Sequence, residues 1–315
     1  YLACGFLDPA NFLGGRMRLD REAAERALAP IAERLGFTGA DAPARAAQAA
    51  LRVATAVMAT ELSKGLAQRG EDAATFALMP FGGAGPTHAN LLAEEARLSA
   101  VLVPFAPSTF CALGAILADV KRDFVRSLRI RLWPENEAAT GRLHAALAEL
   151  STEARAWVAE EAEALRGHTL SATTEMRYAG QSFELTVDWD SATFAHPTPA
   201  AIAELFHRVH EGIYGFRDTA SAVEVTALRV RVTGQVEPID LPDAAPRPAA
   251  TPTGTRRVFG AQGWQDWPVW DRALLGRGAR IAGPAIIEQE DSTLVLLGGW
   301  RAEVDPRGNL ELRRA

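Results

Sequence analysis

Between Thr75 and Asn90 the chain reads TFALMPFGGAGPTHAN, and residue types in this order suit the capture of an anion. A short apolar run, Phe76 to Met79, reads as a buried strand. Gly82-Gly83-Ala84-Gly85-Pro86 makes a turn, and an Ala/Leu/Glu-rich segment from Ala89 to Ala96 reads as a helix. The first turn of a helix leaves backbone N–H groups unpaired, so its N-terminus attracts phosphates and carboxylates. Glycine lets the backbone come close to a ligand and take a positive φ. Pro86 suits the first helical turn. Thr87 and His88 project from that turn, where a hydroxyl or an imidazole reaches a phosphate or a base. The cofactor-contacting set expected here is Gly82, Gly83, Ala84, Gly85, Thr87 and His88. A tight structural turn without ligand is the alternative. The cluster follows neither the dinucleotide fingerprint nor the Walker pattern.

Other reactive side chains give weaker patterns. The six histidines lack the HExxH arrangement, so no metal site is expected. His207 and His210 share a helix face, as histidines near a helix end often do. Cys111 sits at a helix start, where a thiol pKa falls, but a small packed residue explains it as well. No GxSxG elbow is present. Arg126, Arg129 and Arg131 alternate with apolar residues over Val125–Leu132, as on a strand with one wet face.

The elements that must position these groups alternate. Leu19 to Leu35 reads as a helix with Asp20 as N-cap and Pro30 kinking or splitting it. Ala42 to Gln68 is a long helix whose stripe of Ala47, Ala50, Leu51, Ala54, Val57, Met58 and Leu62 is expected to face a core. A strand at Ala100–Val103 and a helix from Phe110 to about Lys121 follow the glycine turn. Helix and strand alternation of this kind indicates α/β layers. Glu135 to Arg166 is an amphipathic helix, and Leu170–Asp188 and Val223–Val232 read as strands flanking a helix over Pro199–Tyr214. Pro238 to Pro252 reads as a linker, and short strands separated by glycine turns run from Arg256 onward. The expected division is 1–130, an α/β lobe; 131–237, helical and α+β; 238–254, linker; and 255–315, a small all-β domain.

Composition bounds the function. The chain has 315 residues, 48% hydrophobic and 23% charged, with a formal net charge of −6. An acidic balance argues against nucleic acid or an anionic membrane as partner. Two cysteines, Cys4 and Cys111, make no disulfide framework, and a reducing cytoplasm is the expected compartment. The chain opens at Tyr1 without an initiator Met, and an N-terminal portion is expected to precede it.

Several stretches together resemble the hydantoinase A / 5-oxoprolinase family, which also holds the ATP-binding subunits of acetone and acetophenone carboxylases. They include Asp8–Gly15 (DPANFLGG), Phe81–Ala89 (FGGAGPTHA), Ala112-Leu113-Gly114, Arg177–Ser182 (RYAGQS), His210–Phe216 (HEGIYGF), Gly283–Glu288 (GPAIIE), Asp291-Ser292-Thr293 and Gly308-Asn309-Leu310. The match keeps its order along the whole chain and corresponds to the C-terminal half of such a subunit. Cys111 stands where the family often has Ser, and no role carries over to it.

The resemblance implies the second lobe of an actin-like ATPase (ribonuclease H-like) fold, with ATP and Mg²⁺ held between two lobes. It implies that Gly82–Gly85 touches nucleotide, and that the Mg²⁺ carboxylates lie on an N-terminal lobe of the same subunit. The implied reaction phosphorylates a carbonyl oxygen of a small cyclic amide or ketone enolate, or of bicarbonate, so that hydrolysis or carboxylation follows. The implied partner is a hydantoinase B-type subunit. Catalytic residues are not assigned. The competing expectation is a non-catalytic subunit-docking module whose glycine turn is structural.

Overall fold

A computed structural model describes residues 1–132, 137–161, 163, 165–241 and 243–315. The expected helix start at Glu135 lies outside the described residues, as do positions 162, 164 and 242. The chain divides into two compact units, Tyr1–Ile116 with Asp240–Ala315, and Leu117–Ile239.

The first unit opens with helices α1 (Arg21–Arg34) and α2 (Ala42–Ala67). Asp20 caps α1 by accepting a hydrogen bond from the Ala23 N–H, and the helix runs through Pro30 unbroken. The core-facing stripe of α2 differs from expectation. Its buried positions are Ala44, Ala46, Ala47, Thr55 and Ala59, while Val57 and Met58 are exposed. Small side chains let α2 approach its neighbours closely, so the alanine face packs and the bulkier face turns outward. Then come β1 (Ala77–Leu78), the glycine turn, α3 (Gly85–Glu95), β2 (Ala100–Val103) and α4 (Phe110–Leu117). β1 and β2 pair in parallel with α3 connecting them. The helix expected to reach Lys121 stops at Leu117, because the chain enters a long strand at Val120.

The second unit is α+β. β3 (Val120–Leu132), α5 (Glu137–Glu160), β4 (Gly167–Tyr178), β5 (Leu185–Asp188), α6 (Ser191–Ala195), α7 (Pro199–Tyr214) and β6 (Val223–Gln235) follow in sequence. The strands form an antiparallel sheet in the order β3-β6-β4-β5. Val223, Val225, Leu228, Val230 and Val232 of β6 are buried against Leu143 and Leu150 of α5 and Ile202 and Phe206 of α7. β3 is an edge strand, as its arginines suggested. Arg126 pairs there with Glu149 and Glu153.

The chain then returns to the first unit with β7 (Gly254–Gly260), β8 (Gly263–Asp271), β9 (Arg280–Ala282), β10 (Ala285–Gln289), β11 (Ser292–Leu296), β12 (Trp300–Val304) and β13 (Leu310–Arg314). One sheet has the order β11-β10-β8-β7. The other, β1-β2-β13-β12-β9, joins strands from both ends of the chain. Leu310 pairs with Val103, and Leu312 with Val101. A separate β domain over 255–315 is therefore not what the chain builds. Its apolar face, including Trp300, Leu310 and Leu312, is buried in the same core as Val101 and Val103.

Candidate functional site

The glycine turn forms one wall of a cavity of about 330 Å³ in the first unit. Gly83, Ala84 and Thr87 line it. The facing walls are the loop from Leu7 to Leu13 and the β10–β11 hairpin, Glu288 to Thr293. Each wall is fixed by side chains that the sequence spreads far apart. The Thr87 hydroxyl donates to the Thr293 carbonyl at 2.7 Å, tying the start of α3 to β11. Arg256 pairs with Glu288 at 2.8 Å and with Asp8 at 3.3 Å, so one guanidinium joins the N-terminal loop to β10. Ser108 donates to Asp291 Oδ2, and Gln289 Nε2 donates to the Phe105 carbonyl at 3.2 Å. Arg272 stands behind the hairpin. Its Nη2 donates to the carbonyls of Val103, Pro104 and Gly308. Burial lowers its pKa to about 10, against the pull of Asp291 and Asp305.

The glycines have distinct roles within the fold. Gly82 takes φ +81° with open space around its missing Cβ, and its N–H donates to the Pro107 carbonyl at 2.7 Å. A Cβ at Gly83 would stand 3.2 Å from the Asp291 carbonyl oxygen, so absence of a side chain lets the hairpin close on the turn. Gly85 packs against Pro80. Gly82 and Gly85 are not among the cavity-lining residues. No side chain caps α3.

His88 does not face the cavity as the first-turn position suggested. It is buried, with Nδ1 3.0 Å from the Tyr1 hydroxyl and Nε2 2.7 Å from Thr55 Oγ1. The Thr55 hydroxyl donates to the Leu51 carbonyl, so Nε2 carries the proton and Nδ1 accepts from Tyr1. Burial lowers the His88 pKa and raises that of Tyr1, which itself lines the cavity. Cys111 is exposed on α4 and belongs to no cluster of reactive groups among the described residues.

The feature that motif reading missed is the acidic wall. Asp8, Glu288, Glu290 and Asp291 all line the cavity. Three of them have arginine partners: Arg256 for Asp8 and Glu288, and Arg16 for Glu290. Asp291 does not, and its Oδ1 is buried with no hydrogen-bond partner, as is Gln289 Oε1. A buried carboxylate oxygen without a partner is costly and suits a cation. The described residues contain no group of three or more His, Cys, Asp or Glu side chains arranged to hold a metal. Mg²⁺ ordinarily takes one or two carboxylates and completes its shell with water and substrate phosphates, so this donor set fits it. The signal in the sequence was the run Glu288-Gln289-Glu290-Asp291 at a hairpin tip.

Comparison with known proteins identifies the family. A family model described as Hydantoinase/oxoprolinase matches residues 1–124, and one described as Hydantoinase/oxoprolinase C-terminal domain matches residues 134–315. The chain belongs to the hydantoinase/oxoprolinase family. Within this family it is 31% identical to caprolactamase subunit alpha of Pseudomonas jessenii over 318 residues, 99% of this chain and 45% of the relative. It is 28% identical to the acetone carboxylase beta subunit of Xanthobacter autotrophicus, over 99% of this chain and 45% of that subunit. The crystal structure of the ATP-dependent caprolactamase from Pseudomonas jessenii matches with a TM-score of 0.78 at 30% identity, covering 100% of this chain and 46% of that one. The chain thus spans a little under half the length of these relatives. The mixed α/β fold with several sheets is common to them. No helix among the described residues is long and apolar enough to cross a membrane.

Proposed function

We propose that this hydantoinase/oxoprolinase-family chain supplies one wall of an ATP site, in a protein that phosphorylates a cyclic amide or a ketone. Its first unit corresponds, in this reading, to the second lobe of an actin-like ATPase. The observation that carries the proposal is the cavity between Gly83-Ala84 and the Glu290-Asp291 tip, with the buried, unpartnered Asp291 Oδ1 beside it. A carboxylate-lined pocket repels bare phosphates. It accepts them with a divalent cation, so Asp291 is the residue that would hold Mg²⁺ here. Mg²⁺ would neutralise phosphate charge and orient the transferred group. The residues of this chain do the rest: Thr87 holds the hairpin at its working distance, and Arg256 offsets Asp8 and Glu288. A lobe preceding Tyr1 completes the cleft, and a hydantoinase B-type subunit and the cytoplasm are the expected partner and setting.

ATP titration of the protein together with whatever precedes Tyr1 in its gene, with and without Mg²⁺, tests the reading. Mg²⁺-dependent ATP binding that Asp291→Asn weakens supports it. Affinity that is indifferent to Mg²⁺ and to Asp291→Asn sinks it.

A second reading, a docking module, has one observation in its favour. The eight-residue helix α4 is apolar, yet none of its residues is buried, and Ile116 is 62% exposed. Such a helix is covered in the working protein, by the preceding lobe or by a partner subunit. A protein that assembles with a partner subunit yet binds no ATP would put this reading first.

A further inference from the structure

The Leu117–Ile239 unit has a cavity of its own, about 570 Å³, within the roughly 300–1,000 Å³ usual for small-molecule pockets. It lies where β3 meets the start of α5. Arg129, Arg131, Arg142 and Arg177 line it, with Glu224 the one carboxylate among the described lining residues. Among the described lining residues, guanidinium groups outnumber carboxylates, on a chain whose net charge is −6.

The backbone is shaped to this end. Ser127 pairs with Ala227 and Ile130 with Val225, so Leu128 and Arg129 together oppose Thr226 alone. This is a β-bulge, a device that re-aims a side chain. Arg129 takes up the extra residue with φ +48°, a left-handed conformation that costs a non-glycine residue energy. Leu128 and Ile130 stay buried on either side while Arg129 turns out. A regular strand would need neither the bulge nor the strain to keep arginines in solvent.

The neighbouring charges are anchored. Glu224 is registered with Arg131 on β3 and Arg177 on β4. It accepts from them at 2.8 and 3.1 Å. The paired arginines hold the Glu224 carboxyl below its usual pKa. Arg177 also reaches Glu184 at 3.7 Å, and Arg142 Nη2 donates to the Leu128 carbonyl at 2.7 Å. The Arg129 guanidinium makes no hydrogen bond or ion pair with the described residues.

We propose that this cavity is a second ligand site that takes a small organic phosphate, a monoester whose dianion meets Arg129 and whose organic part fills the remaining space. The guanidinium fork matches phosphate oxygens in pairs, and a phosphate monoester brings about −1.5 to −2 charge at pH 7, more than a single carboxylate. The proposal concerns the unit without the glycine turn and does not depend on ATP binding.

Isothermal titration of the 315-residue chain with glycerol phosphate, inorganic phosphate and succinate tests it. Glycerol phosphate is expected to bind saturably at one site, at least about tenfold more tightly than succinate or inorganic phosphate. Arg129→Gly keeps a residue suited to the left-handed backbone, so thermal unfolding should be unimpaired while affinity falls at least about tenfold, the scale of one charge-assisted contact. Arg217→Ala removes an arginine that pairs instead with Glu204 and Glu211, and should leave affinity unchanged. The proposal is overturned by any of four results: no saturable binding; equal binding of succinate or inorganic phosphate; unchanged affinity in Arg129→Gly; or an equal loss in Arg217→Ala.

Discussion

Gly83 and Asp291 meet backbone to backbone: a Cβ on the glycine would stand 3.2 Å from the aspartate carbonyl oxygen. That distance is tighter than ordinary contact, so a side chain at 83 pushes the hairpin tip that holds Asp291. Gly83→Val is expected to weaken Mg²⁺–ATP binding by roughly 1–3 kcal/mol, the size of a lost polar contact. Gly82→Ala meets no neighbour but must adopt φ +81°, so its cost of about 1 kcal/mol should fall on stability. Binding and thermal unfolding measured side by side on both variants separate the two effects.

His88 joins Tyr1 to Thr55 inside the first unit, so it is expected to matter for folding more than for ligand. His88→Ala removes a buried ring and leaves two hydroxyls short of a partner, for roughly 2–4 kcal/mol of destabilisation. Chemical denaturation gives the number. A loss of ATP affinity with unchanged stability would contradict the buried placement.

The pH dependence of that stability has a definite sign. Burial lowers the folded-state pKa of His88 below its ordinary 6.5, so the unfolded chain binds the proton more readily. Stability is therefore complete above pH 6.5 and declines as pH falls below it. His207, buried and hydrogen-bonded to Tyr178, acts in the same direction in the other unit. Urea unfolding between about pH 8 and about pH 5 should show the decline, and His88→Gln should reduce it, leaving the part due to His207.

At lower pH a different group takes over. Asp123 on β3 accepts from Arg231 at 2.6 and 2.9 Å and from Arg229 at 2.6 Å, which lowers its pKa from 3.8 to about 2. Its contribution is present above pH 3.8 and is lost as pH falls towards 2. The groups are partly exposed, so Asp123→Asn should cost only about 1 kcal/mol at neutral pH after solvent screening. That difference should shrink as pH falls from 3.8 and vanish only below about pH 2, as measured by denaturation of both proteins.

Cleavage between residues 243 and 252 should not release the C-terminal strands. This stretch has no regular structure and is largely exposed, but β12 and β13 are bound into the sheet of β2. A non-specific protease at low dose should give two fragments on a denaturing gel that still elute together on native size exclusion. Separation of the fragments would argue for an independent C-terminal domain.

The periodicities of the sequence foretold α2, α3, β2 and the alternation of β6, because amphipathic spacing and helix punctuation are local. The identity of most strands after Arg256 was legible for the same reason. Their partners were not: nothing near Leu310 announces that it will lie beside Val103. The orientation of His88 depended on a helix, α2, that packs against it through Thr55, more than thirty residues away. The acidic wall was hidden because Asp8 and Asp291 are joined only in space, through Arg256, Glu288 and the hairpin. The bulge at Arg129 looked like a plain wet strand, since one extra residue is invisible until the register of β6 is known.

β13 occupies the middle of its sheet, between β2 and β12, although it is made of residues 310–314. A ribosome therefore releases the central strand of this sheet after every other strand in it. The continuous unit Leu117–Ile239 can fold while synthesis continues, whereas β1 and β2 wait with an unfilled edge. Unpaired edges invite pairing with other chains. Truncation before Leu310 would remove the strand that joins β2 to β12, leaving a product prone to aggregate.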